Sequence, residues 1–275
     1  MGDGRLRVAF QGELGAYSEQ AVFGYFGQVE TQPHESFDDV FEAVVSKSCD
    51  CALIPIENSL AGSIHQNYDL LLRHNLHIVG EYLLRVRHCL IAFPDVKKED
   101  IKRVISHPQA LSQCAGYLRT MGVKVEPVYD TAGSVKMLKA SGELTTAAIA
   151  SQRAADIYEM QVLEEGIEDN PENYTRFLAI QRDSIIPTGE AKTSIVFTLK
   201  NQPGALFKAL SVFALRDIDL TKIESRPLAG KPWEYLFYID FIGATHEDTT
   251  KRALDHLGEY AMMLRVLGSY PRFKE

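Results

Sequence analysis

Short runs of hydrophobic residues recur along the first 180 positions of the chain, and amphipathic stretches separate them. The runs cover residues 6–10, 52–56, 88–93, 104–105, 123–128, 147–150 and 176–180. Stretches with apolar residues at helical spacing include 36–46, 109–121, 131–140 and 152–158. Alternating strands and helices are typical of an α/β fold with largely parallel sheets. The seven predicted strands could form one doubly wound sheet, or two smaller sheets that face each other across a cleft.

The pattern changes after this region. Residues 183–190 contain proline and glycine, lack periodicity and are predicted to form a linker. The elements predicted beyond it are a strand at 193–199, a helix carrying Leu206, Leu210 and Phe213, strands at 218–224 and 234–242, a helix at 247–260 and a strand at 263–270. Their order, βαββαβ, is typical of the ferredoxin-like fold. Strand 234–242 is apolar on both faces, so we expect helices to cover one face and another surface, such as a neighbouring subunit, to cover the other.

The composition is that of a soluble globular protein of two domains, with 275 residues, of which 45% are hydrophobic and 24% charged. A formal net charge of −8 argues against nucleic acid or an anionic membrane as a partner, because phosphates bind to basic patches. An anionic small molecule in a locally positive pocket stays compatible with that charge. The chain has no run of about 18 consecutive apolar residues, which excludes a membrane-spanning helix.

The four cysteines Cys49, Cys51, Cys89 and Cys114 form neither a CxxC pair nor a metal-binding spacing with histidine. We therefore expect buried, reduced thiols in a cytoplasmic protein. The first predicted strand begins almost at the N-terminus, which predicts the absence of a signal peptide. For a processed plant protein, the corresponding location is the plastid stroma.

Segments that carry hydroxyl groups and begin a helix follow five of the predicted strands. They cover residues 11–18, 55–63, 106–110, 129–134 and 150–152. Helix capping explains any one of them. Five such segments at strand carboxyl ends favour a ligand site, because helix N-termini there bind anions. Neither a P-loop nor a G-x-G-x-x-G motif is present, so the carboxylates of a small organic acid fit better than nucleotide phosphates.

Three segments of the sequence carry a specific resemblance to a known family. Pro55-Ile56-Glu57-Asn58-Ser59 resembles the PIENS motif of prephenate dehydratases, and the run from Tyr158 through Asp169 to Thr175-Arg176-Phe177 is similar to the Thr-Arg-Phe signature of that family. Residues 220–227 resemble the second family signature, the ESRP motif of a regulatory ACT domain. Blocks 15–18, 106–109 and 130–133 also match the family. The chain is thus similar to prephenate and arogenate dehydratases over nearly its whole length.

The resemblance implies an α/β, two-lobed catalytic domain like a type II periplasmic binding protein, followed by a ferredoxin-like ACT domain. The expected ranges are a catalytic domain at 1–182, with lobes at about 1–83 plus 165–182 and at 84–164, a linker at 183–192 and an ACT domain at 193–275. The implied reaction removes water and carbon dioxide from prephenate to give phenylpyruvate, or from arogenate to give phenylalanine. Prephenate is the first choice, and no metal or organic cofactor is implied.

Such a reaction sets three tasks: to hold the carboxylates of the substrate, to assist departure of the ring hydroxyl, and to desolvate the carboxylate that leaves. Thr175 is our candidate for the hydroxyl, as a positioned donor in a dry site, because an unperturbed threonine is a poor general acid. Glu57 competes with it, since a buried protonated carboxyl is a known acid. Asn58 and Gln113 are the candidate neutral donors to the substrate.

The remaining substrate-binding candidates lie at the predicted helix starts and in the Thr-Arg-Phe signature. They are Ser18, Ser59, Ser106, His107, Gln109, Thr131, Ala132, Gly133, Ser134, Ser151, Arg176 and Phe177. In an extended segment Thr175 and Phe177 share one face and Arg176 points away. Phe177 would then be an apolar wall that favours decarboxylation, while Arg176 would be either a carboxylate clamp or a structural cation.

For the C-terminal domain, the resemblance implies feedback regulation by phenylalanine bound between two ACT domains, and hence a homodimer or homotetramer. The matching positions are Gly204, Ala205, Leu206, Glu224, Ser225, Arg226 and Pro227. The alternative is a module that only dimerises. For the whole chain, the alternative to an enzyme is a non-catalytic, amino-acid-sensing binding protein, which the presence of both catalytic signatures disfavours.

Overall fold

The computed structural model describes residues 5–228, 230 and 234–274. Contacts within the chain divide it into two compact units. The first unit consists of Met1–Asn67 and Tyr82–Phe177, and the second of Tyr68–Glu81 and Leu178–Glu275. Among the residues described, no helix combines the length and the apolar character needed to cross a membrane.

The first 85 residues form one series of alternating elements. These are β1 (Arg7–Gln11), α1 (Tyr17–Phe26), β2 (Glu30–His34), α2 (Phe37–Val45), β3 (Cys51–Asn58), β4 (Gly62–Ser63), α3 (His65–Arg73) and β5 (His77–Arg85). The next series consists of β6 (Cys89–Ala92), β7 (Arg103–Ser106), α4 (Pro108–Gln113), α5 (Ala115–Met121), β8 (Lys124–Pro127), α6 (Thr131–Ser141), β9 (Thr146–Ala150), α7 (Gln152–Tyr158), β10 (Gln161–Glu165) and β11 (Tyr174–Gln181).

These strands form two sheets, so the second of the two sequence-based alternatives is confirmed. One sheet has the order β2-β1-β3-β11-β5, with β4 paired to β3, and the other has the order β10-β6-β9-β7-β8. In the second sheet β7 runs parallel to β8 and β9, while β6 is antiparallel to β9 and β10. All seven strands predicted from apolar runs are present. β2, β4, β5 and β10 were not predicted. β2 and β10 are polar edge strands and β4 has only two residues, whereas the apolar residues of the largely buried β5 are interrupted by Gly80 and Glu81.

The helix predicted at 109–121 is in fact two helices. It breaks at Cys114, where the backbone leaves the helical region (φ −113°, ψ 18°). The carboxylate of Asp169 accepts hydrogen bonds from the backbone N–H groups of Gly116 (2.8 Å) and Tyr117 (3.3 Å). It thus supplies acceptors for the first N–H groups of the second helix, although it is remote from them in sequence. Gly116 permits this approach, because a Cβ there would lie 2.7 Å from Asp169 Oδ1.

The last 85 residues form a four-stranded antiparallel sheet with two helices. Its elements are β12 (Ala191–Leu199), α8 (Ala205–Ala214), β13 (Leu220–Pro227), β14 (Tyr235–Ile242), α9 (Asp248–Tyr260) and β15 (Ala261–Pro271). The strand order is β13-β14-β12-β15, and α8 and α9 pack on the face that carries Ile195, Ile239 and Phe241. The predicted βαββαβ fold is confirmed. β12 begins at Ala191, directly after the segment 183–190 whose composition predicts a linker.

The opposite face of this sheet is covered by the chain's own segment 68–81. The rings of Tyr68 and Tyr238 lie 4.8 Å apart, and Tyr238 Oη donates to the carbonyl of Tyr68 (3.0 Å). Arg265 donates to the carbonyls of Leu72, His74 and Leu76, which lie at and beyond the end of α3. Strand 234–242 is therefore apolar on both faces for a reason internal to the second unit. The domain boundary expected at 182 stays a prediction.

The four cysteines are all buried and form no disulfide bond, as their sequence context predicts. Burial raises the pKa of the Cys89 thiol to about 12, and it raises the pKa of Cys114 as well. Thiols with such raised pKa values are poor nucleophiles at neutral pH. They serve as small apolar side chains of the core.

Candidate functional site

Asn58 is the last residue of β3, and its side chain closes the turn that follows. Its Oδ1 accepts hydrogen bonds from the backbone N–H groups of Leu60 (3.1 Å) and Ala61 (2.9 Å). Because Oδ1 is held by two donors, Nδ2 points the other way, toward Asn173 and Thr175. Nδ2 lies 2.8 Å from Asn173 Oδ1 and 3.0 Å from Thr175 Oγ1. The side chain of Asn58 is thus held by protein groups on both ends.

Ser59 fastens the same turn to the residues before Thr175. Its hydroxyl donates to the carbonyl of Glu172 (2.7 Å) and accepts from the backbone N–H of Tyr174 (2.9 Å). Its own N–H donates to the carbonyl of Tyr174 (2.8 Å). The PIENS and Thr-Arg-Phe motifs, more than 100 residues apart in sequence, are joined through this serine.

Thr175 lies at the start of β11 and is half-buried. Its Oγ1 accepts the hydrogen bond from Asn58, so the hydroxyl hydrogen is available for a different acceptor. A hydroxyl that accepts one hydrogen bond becomes a better donor in a second. The geometry therefore suits Thr175 to donate to an oxygen of a ligand.

A chain of hydrogen bonds extends from Asn58 into the second sheet. Asn173 is fully buried, and its Nδ2 donates to Gln113 Oε1 (3.0 Å). The same oxygen lies 2.8 Å from Nε2 of His88, which is 2% exposed. His88 Nδ1 in turn lies 2.8 Å from the hydroxyl of Tyr17. Six polar side chains, from Tyr17 to Thr175, are thereby connected.

Three members of this series of hydrogen-bonded side chains, Asn173, His88 and Tyr17, are not among the site residues predicted from the sequence. Asn173 stands two residues before Thr175, so strand alternation alone would have placed it on the same face. His88 lies in none of the motifs identified in the sequence, and Tyr17 lies in a family block but is not among the predicted site residues. Burial lowers the pKa of His88, and burial also raises the pKa of Tyr17 well above its usual value. Both groups are consequently uncharged at neutral pH.

Glu57 and Arg176 form an ion pair at the joined ends of β3 and β11. Arg176 Nη1 lies 3.6 Å from Glu57 Oε1, and the arginine side chain is only 8% exposed. A buried guanidinium needs an anion nearby, and Glu57 supplies it. This pairing favours the structural interpretation of Arg176 over the carboxylate clamp. It also gives Glu57 a structural role that competes with proton donation.

A cleft of about 280 Å³ opens beside Tyr17. It is lined by Gln11, Ala16, Tyr17, Ser18, His107, Tyr129, Asp130 and Thr131. An adjoining cavity of about 550 Å³ shares Gln11, Tyr129 and Asp130 and adds Gly133. Four substrate-binding candidates, Ser18, His107, Thr131 and Gly133, therefore line these cavities.

Two of the lining residues are helix caps. His107 Nδ1 accepts from the backbone N–H of Gln109 (3.2 Å) at the start of α4, and Asp130 Oδ1 accepts from Gly133 N–H (2.6 Å) at the start of α6. Burial raises the pKa of Asp130, against the opposing effect of the Gly133 N–H. The side chain of Gln109 is exposed. Capping and cavity lining thus coexist here.

Several other candidates face the protein interior. The hydroxyls of Ser106, Ser134 and Ser151 donate to the carbonyls of Ile149, Thr131 and Gly15, and all three serines are at most 1% exposed. Ala132 is fully buried, and Phe177 is 2% exposed within the core. A side chain so enclosed cannot form the wall of an open cleft, so the apolar-wall interpretation of Phe177 is not supported.

A buried ion pair stabilises one wall of the cleft. Glu19 of α1 is 2% exposed and accepts from Gly15 N–H (2.8 Å), from the Thr31 hydroxyl (3.0 Å) and from Arg153 Nε of α7 (2.7 Å). Three donors satisfy the buried carboxylate. This cluster fixes the start of α1, which carries Tyr17 and Ser18.

The effector-binding candidates occupy two places in the second unit. Gly204 has a left-handed backbone (φ +77°) directly before α8, where Ala205 begins the helix and Leu206 packs into the core. On β13, Ser225 and Pro227 are exposed, whereas Arg226 pairs with Asp69 (2.7 Å) and Glu224 with Lys222 (3.8 Å). Alternate residues of the ESRP motif therefore point to opposite sides of the strand.

Comparison with known proteins gives a family for both parts of the chain. The family model described as prephenate dehydratase matches residues 8–185, and that of the ACT domain matches residues 193–259. A curated relative, arogenate dehydratase/prephenate dehydratase 2, chloroplastic, of Arabidopsis thaliana, is 52% identical over 278 residues. The match covers 97% of this chain and 73% of the relative.

Two solved structures share the architecture. Prephenate dehydratase from Arthrobacter aurescens in complex with L-Phe has a TM-score of 0.89 and 33% identity, over 97% of this chain and 90% of that chain. A protein named GqqA, described as a novel type of quorum quenching acylase, has a TM-score of 0.91 and 33% identity, over 97% and 98% of the two chains.

Proposed function

The chain belongs to the prephenate dehydratase family, and we propose on that premise that it converts prephenate into phenylpyruvate, water and carbon dioxide. The observation that carries the proposal is the Thr175 hydroxyl, which Asn58 holds with its hydrogen free for an acceptor. In the reaction the ring C–O bond and the ring carbon–carboxylate bond break together. The electron pair of the second bond completes the aromatic ring, and the departing oxygen takes up a proton to leave as water.

Thr175 donates a hydrogen bond to the departing oxygen as negative charge develops on it. Such a donor accelerates the reaction because it binds the transition state more strongly than the substrate. The N-termini of α4 and α6 face the cleft with Ser18, His107 and Thr131 and supply donors for the substrate carboxylates. Ser106, Ser134 and Ser151 have no role in this scheme, because their hydroxyls bond to backbone carbonyls.

Replacement of Thr175 tests the central role. We expect Thr175→Val to lower kcat by about 10²- to 10³-fold with a folded protein, since loss of one transition-state donor has effects of that order. Asn58 keeps Asn173 and the Tyr174 carbonyl as acceptors, which limits structural damage. Thr175→Ser retains the hydroxyl and is the matched control. Phenylpyruvate formation is measured spectroscopically, and a valine variant with wild-type turnover would remove Thr175 from the mechanism.

Arogenate is the alternative substrate, because the Arabidopsis relative is named for both activities. The two substrates differ at the side-chain α-carbon, which bears an oxo group in prephenate and an ammonium group in arogenate. Asp130 in the cleft is a possible partner of the ammonium. The ratio of kcat/KM for the two substrates decides between them, and a ratio above one for arogenate replaces the first choice. The chloroplastic relative likewise supports the plastid stroma as the location.

Acyl transfer and a purely binding function are the other candidates. An acylase needs a nucleophile with an activating base, but the partner of Thr175 Oγ1 is an amide donor. The GqqA name supports acyl transfer for that protein alone. Turnover of prephenate or arogenate without hydrolysis of acylated amides supports the dehydratase, and the reverse result supports the acylase. No turnover with either class leaves the binding protein.

The second unit binds phenylalanine as an effector, and the chain forms a homo-oligomer through its ACT domain. The complex of the Arthrobacter aurescens protein with L-Phe supports this part of the proposal. Gly204 brings backbone close to the candidate site, and exposed Ser225 and Pro227 are available to a ligand. We expect L-phenylalanine, but not D-phenylalanine, to lower turnover and raise the melting temperature. If neither responds, the domain only dimerises, and light scattering then measures its oligomeric state.

A further inference from the structure

The backbone determines which groups donate and which accept in the series of hydrogen bonds between Tyr17 and Thr175. Asn58 Oδ1 accepts from the N–H groups of Leu60 and Ala61, and a backbone amide cannot act as an acceptor at its nitrogen. The orientation of the Asn58 amide is therefore fixed. Its nitrogen must face Asn173 Oδ1, the Tyr174 carbonyl and Thr175 Oγ1, which share its two hydrogens as acceptors.

The orientation of the Asn58 amide fixes the orientation of the Asn173 amide. Asn173 Oδ1 accepts from Asn58, so Asn173 Nδ2 faces Gln113. A rotated Asn173 amide would bring two NH₂ groups together in a place with no exposure to solvent. An unsatisfied buried donor destabilises the folded protein. Gln113 must accordingly present its oxygen to Asn173.

The tautomer of His88 follows from the orientation of Gln113. Gln113 Oε1 also faces His88 Nε2 at 2.8 Å, and an oxygen without a hydrogen can only accept. His88 Nε2 therefore carries the hydrogen. In the neutral ring Nδ1 is then an acceptor, and the Tyr17 hydroxyl, 2.8 Å from it, shares its one hydrogen between this nitrogen and the carbonyl of Arg87 (2.9 Å).

We propose that Asn173 and His88 are positioning residues, which act through Gln113 and Asn58 to hold the Thr175 hydroxyl in place, with His88 in its Nε2–H tautomer. This inference rests on the proposed dehydratase function of Thr175. Both side chains are buried, with Asn173 0% and His88 2% exposed, so neither is assigned contact with the substrate. Their effect is on the placement of Thr175 and Gln113, and it falls on kcat.

Four variants test the chain of hydrogen bonds through turnover. Asn173→Asp keeps the acceptor for Asn58 but replaces the donor to Gln113 by a second oxygen. His88→Leu removes the donor to Gln113 from the other side, and His88→Gln restores an amide nitrogen near the position of Nε2. Asn170→Asp is the matched control. It adds the same charge three residues from Asn173, but keeps the oxygen that accepts from Glu172 N–H (2.9 Å).

We expect Asn173→Asp and His88→Leu to lower kcat by about 10- to 100-fold with little change in KM, since a misplacement of about 1 Å at a reacting group has effects of that order. His88→Gln should recover most of the lost kcat, and Asn170→Asp should match the wild type. Circular dichroism and the melting temperature establish that each variant is folded. Wild-type kcat in Asn173→Asp, or equal rates for the leucine and glutamine variants of His88, would overturn the proposal.

A second measurement does not depend on turnover. The ¹⁵N chemical shifts of the imidazole distinguish the two neutral tautomers, and the signals missing from His88→Gln assign this residue. An Nε2–H tautomer is expected, and an Nδ1–H tautomer would contradict the proposal even in an active enzyme. Failure of the proposed function is recognised separately, as absence of turnover in the wild type while the tautomer is as expected.

Discussion

At the scale of single residues, Asn58 shows how much a side chain's role depends on its partners. Its residue type and motif indicate a neutral donor to the substrate. In the structure its amide oxygen is held by Leu60 and Ala61, and its nitrogen faces Asn173 and Thr175. An amide has only two hydrogens to donate. Under the proposed function Asn58 therefore positions Thr175, and the threonine makes the contact with the departing oxygen.

His88 makes the stability of the protein depend on pH. Its ring nitrogens face Tyr17 of α1 and Gln113 of α4, and its backbone N–H donates to the Glu168 carboxylate. Burial lowers its pKa from the usual value of 6.5, although Gln113 and Glu168 oppose the shift. The unfolded chain regains the usual pKa. Below about pH 6.5 the unfolded chain therefore binds a proton at His88 that the folded chain does not bind. The free energy of unfolding falls as the pH is lowered from there to the pKa of His88 in the folded chain.

The corresponding prediction compares the wild type with His88→Gln. From about pH 7.5 to about pH 5, the free energy of unfolding should fall less steeply in the variant, because glutamine does not titrate. Urea unfolding at several pH values measures both slopes, and the other titrating groups contribute equally to each protein. Parallel slopes would contradict a buried, neutral His88.

At the scale of secondary-structure elements, the sheet of the second unit requires a close approach between β15 and β5. Gly268 of β15 is buried, and a Cβ on it would lie 2.0 Å from the carbonyl oxygen of Ile78. A backbone oxygen cannot move aside as a flexible side chain does. Glycine is thus required at this position by the close packing of two strands. Its backbone conformation does not require glycine, because its φ is not in the left-handed region.

We expect Gly268→Ala to lower the free energy of unfolding by about 1–3 kcal/mol, the usual cost of a side chain for which the interior has no room. Gly258→Ala in α9 is the control, because a Cβ there meets nothing within 4 Å. That variant should be unchanged or more stable by about 0.5–1 kcal/mol, since alanine favours a helix over glycine. Urea midpoints measure both, and equal stabilities of the two variants would refute the packing argument.

At the scale of the whole molecule, the two compact units do not follow the order of the sequence. Segment 68–81 lies within the first half of the chain but belongs to the second unit. Arg265 binds three of its carbonyls, and a salt bridge joins Arg226 of the ESRP motif to Asp69. Lys192 of β12 pairs with buried Glu81 at 2.8 Å. The second unit is therefore assembled from two distant parts of the chain.

A chain cut after residue 182 should consequently be less stable than a self-contained domain. It loses Tyr238 and Arg265, so the ring of Tyr68 and the carbonyls at the end of α3 lose their partners. We expect a lower melting temperature and stronger binding of a hydrophobic dye. Addition of a separate 183–275 fragment is the control and should reverse both changes. An unchanged melting temperature for residues 1–182 would show that segment 68–81 is stable without the C-terminal strands.

Much of the fold could be predicted from the sequence, because burial leaves a local record. β3, β9 and β12 are buried along most of their length and read as apolar runs, and α7 follows its helical spacing from Gln152 to Tyr158. β2 and β10 left no such record, since an edge strand can be polar. The break at Cys114 was also hidden, because the carboxylate that stabilises the next helix comes from Asp169, more than 50 residues away.

The candidate site divides in the same way. The sequence by itself determined the family and the βαββαβ domain, because these depend on motifs and on local periodicity. Only the tertiary structure decided that Phe177 is buried, that Arg176 pairs with Glu57, and that Asn173 and His88 connect Tyr17 to Thr175. The physical reason is that a hydrogen bond depends on distance and direction between two groups. Neither is recorded in a sequence when the groups lie 25 to 117 residues apart.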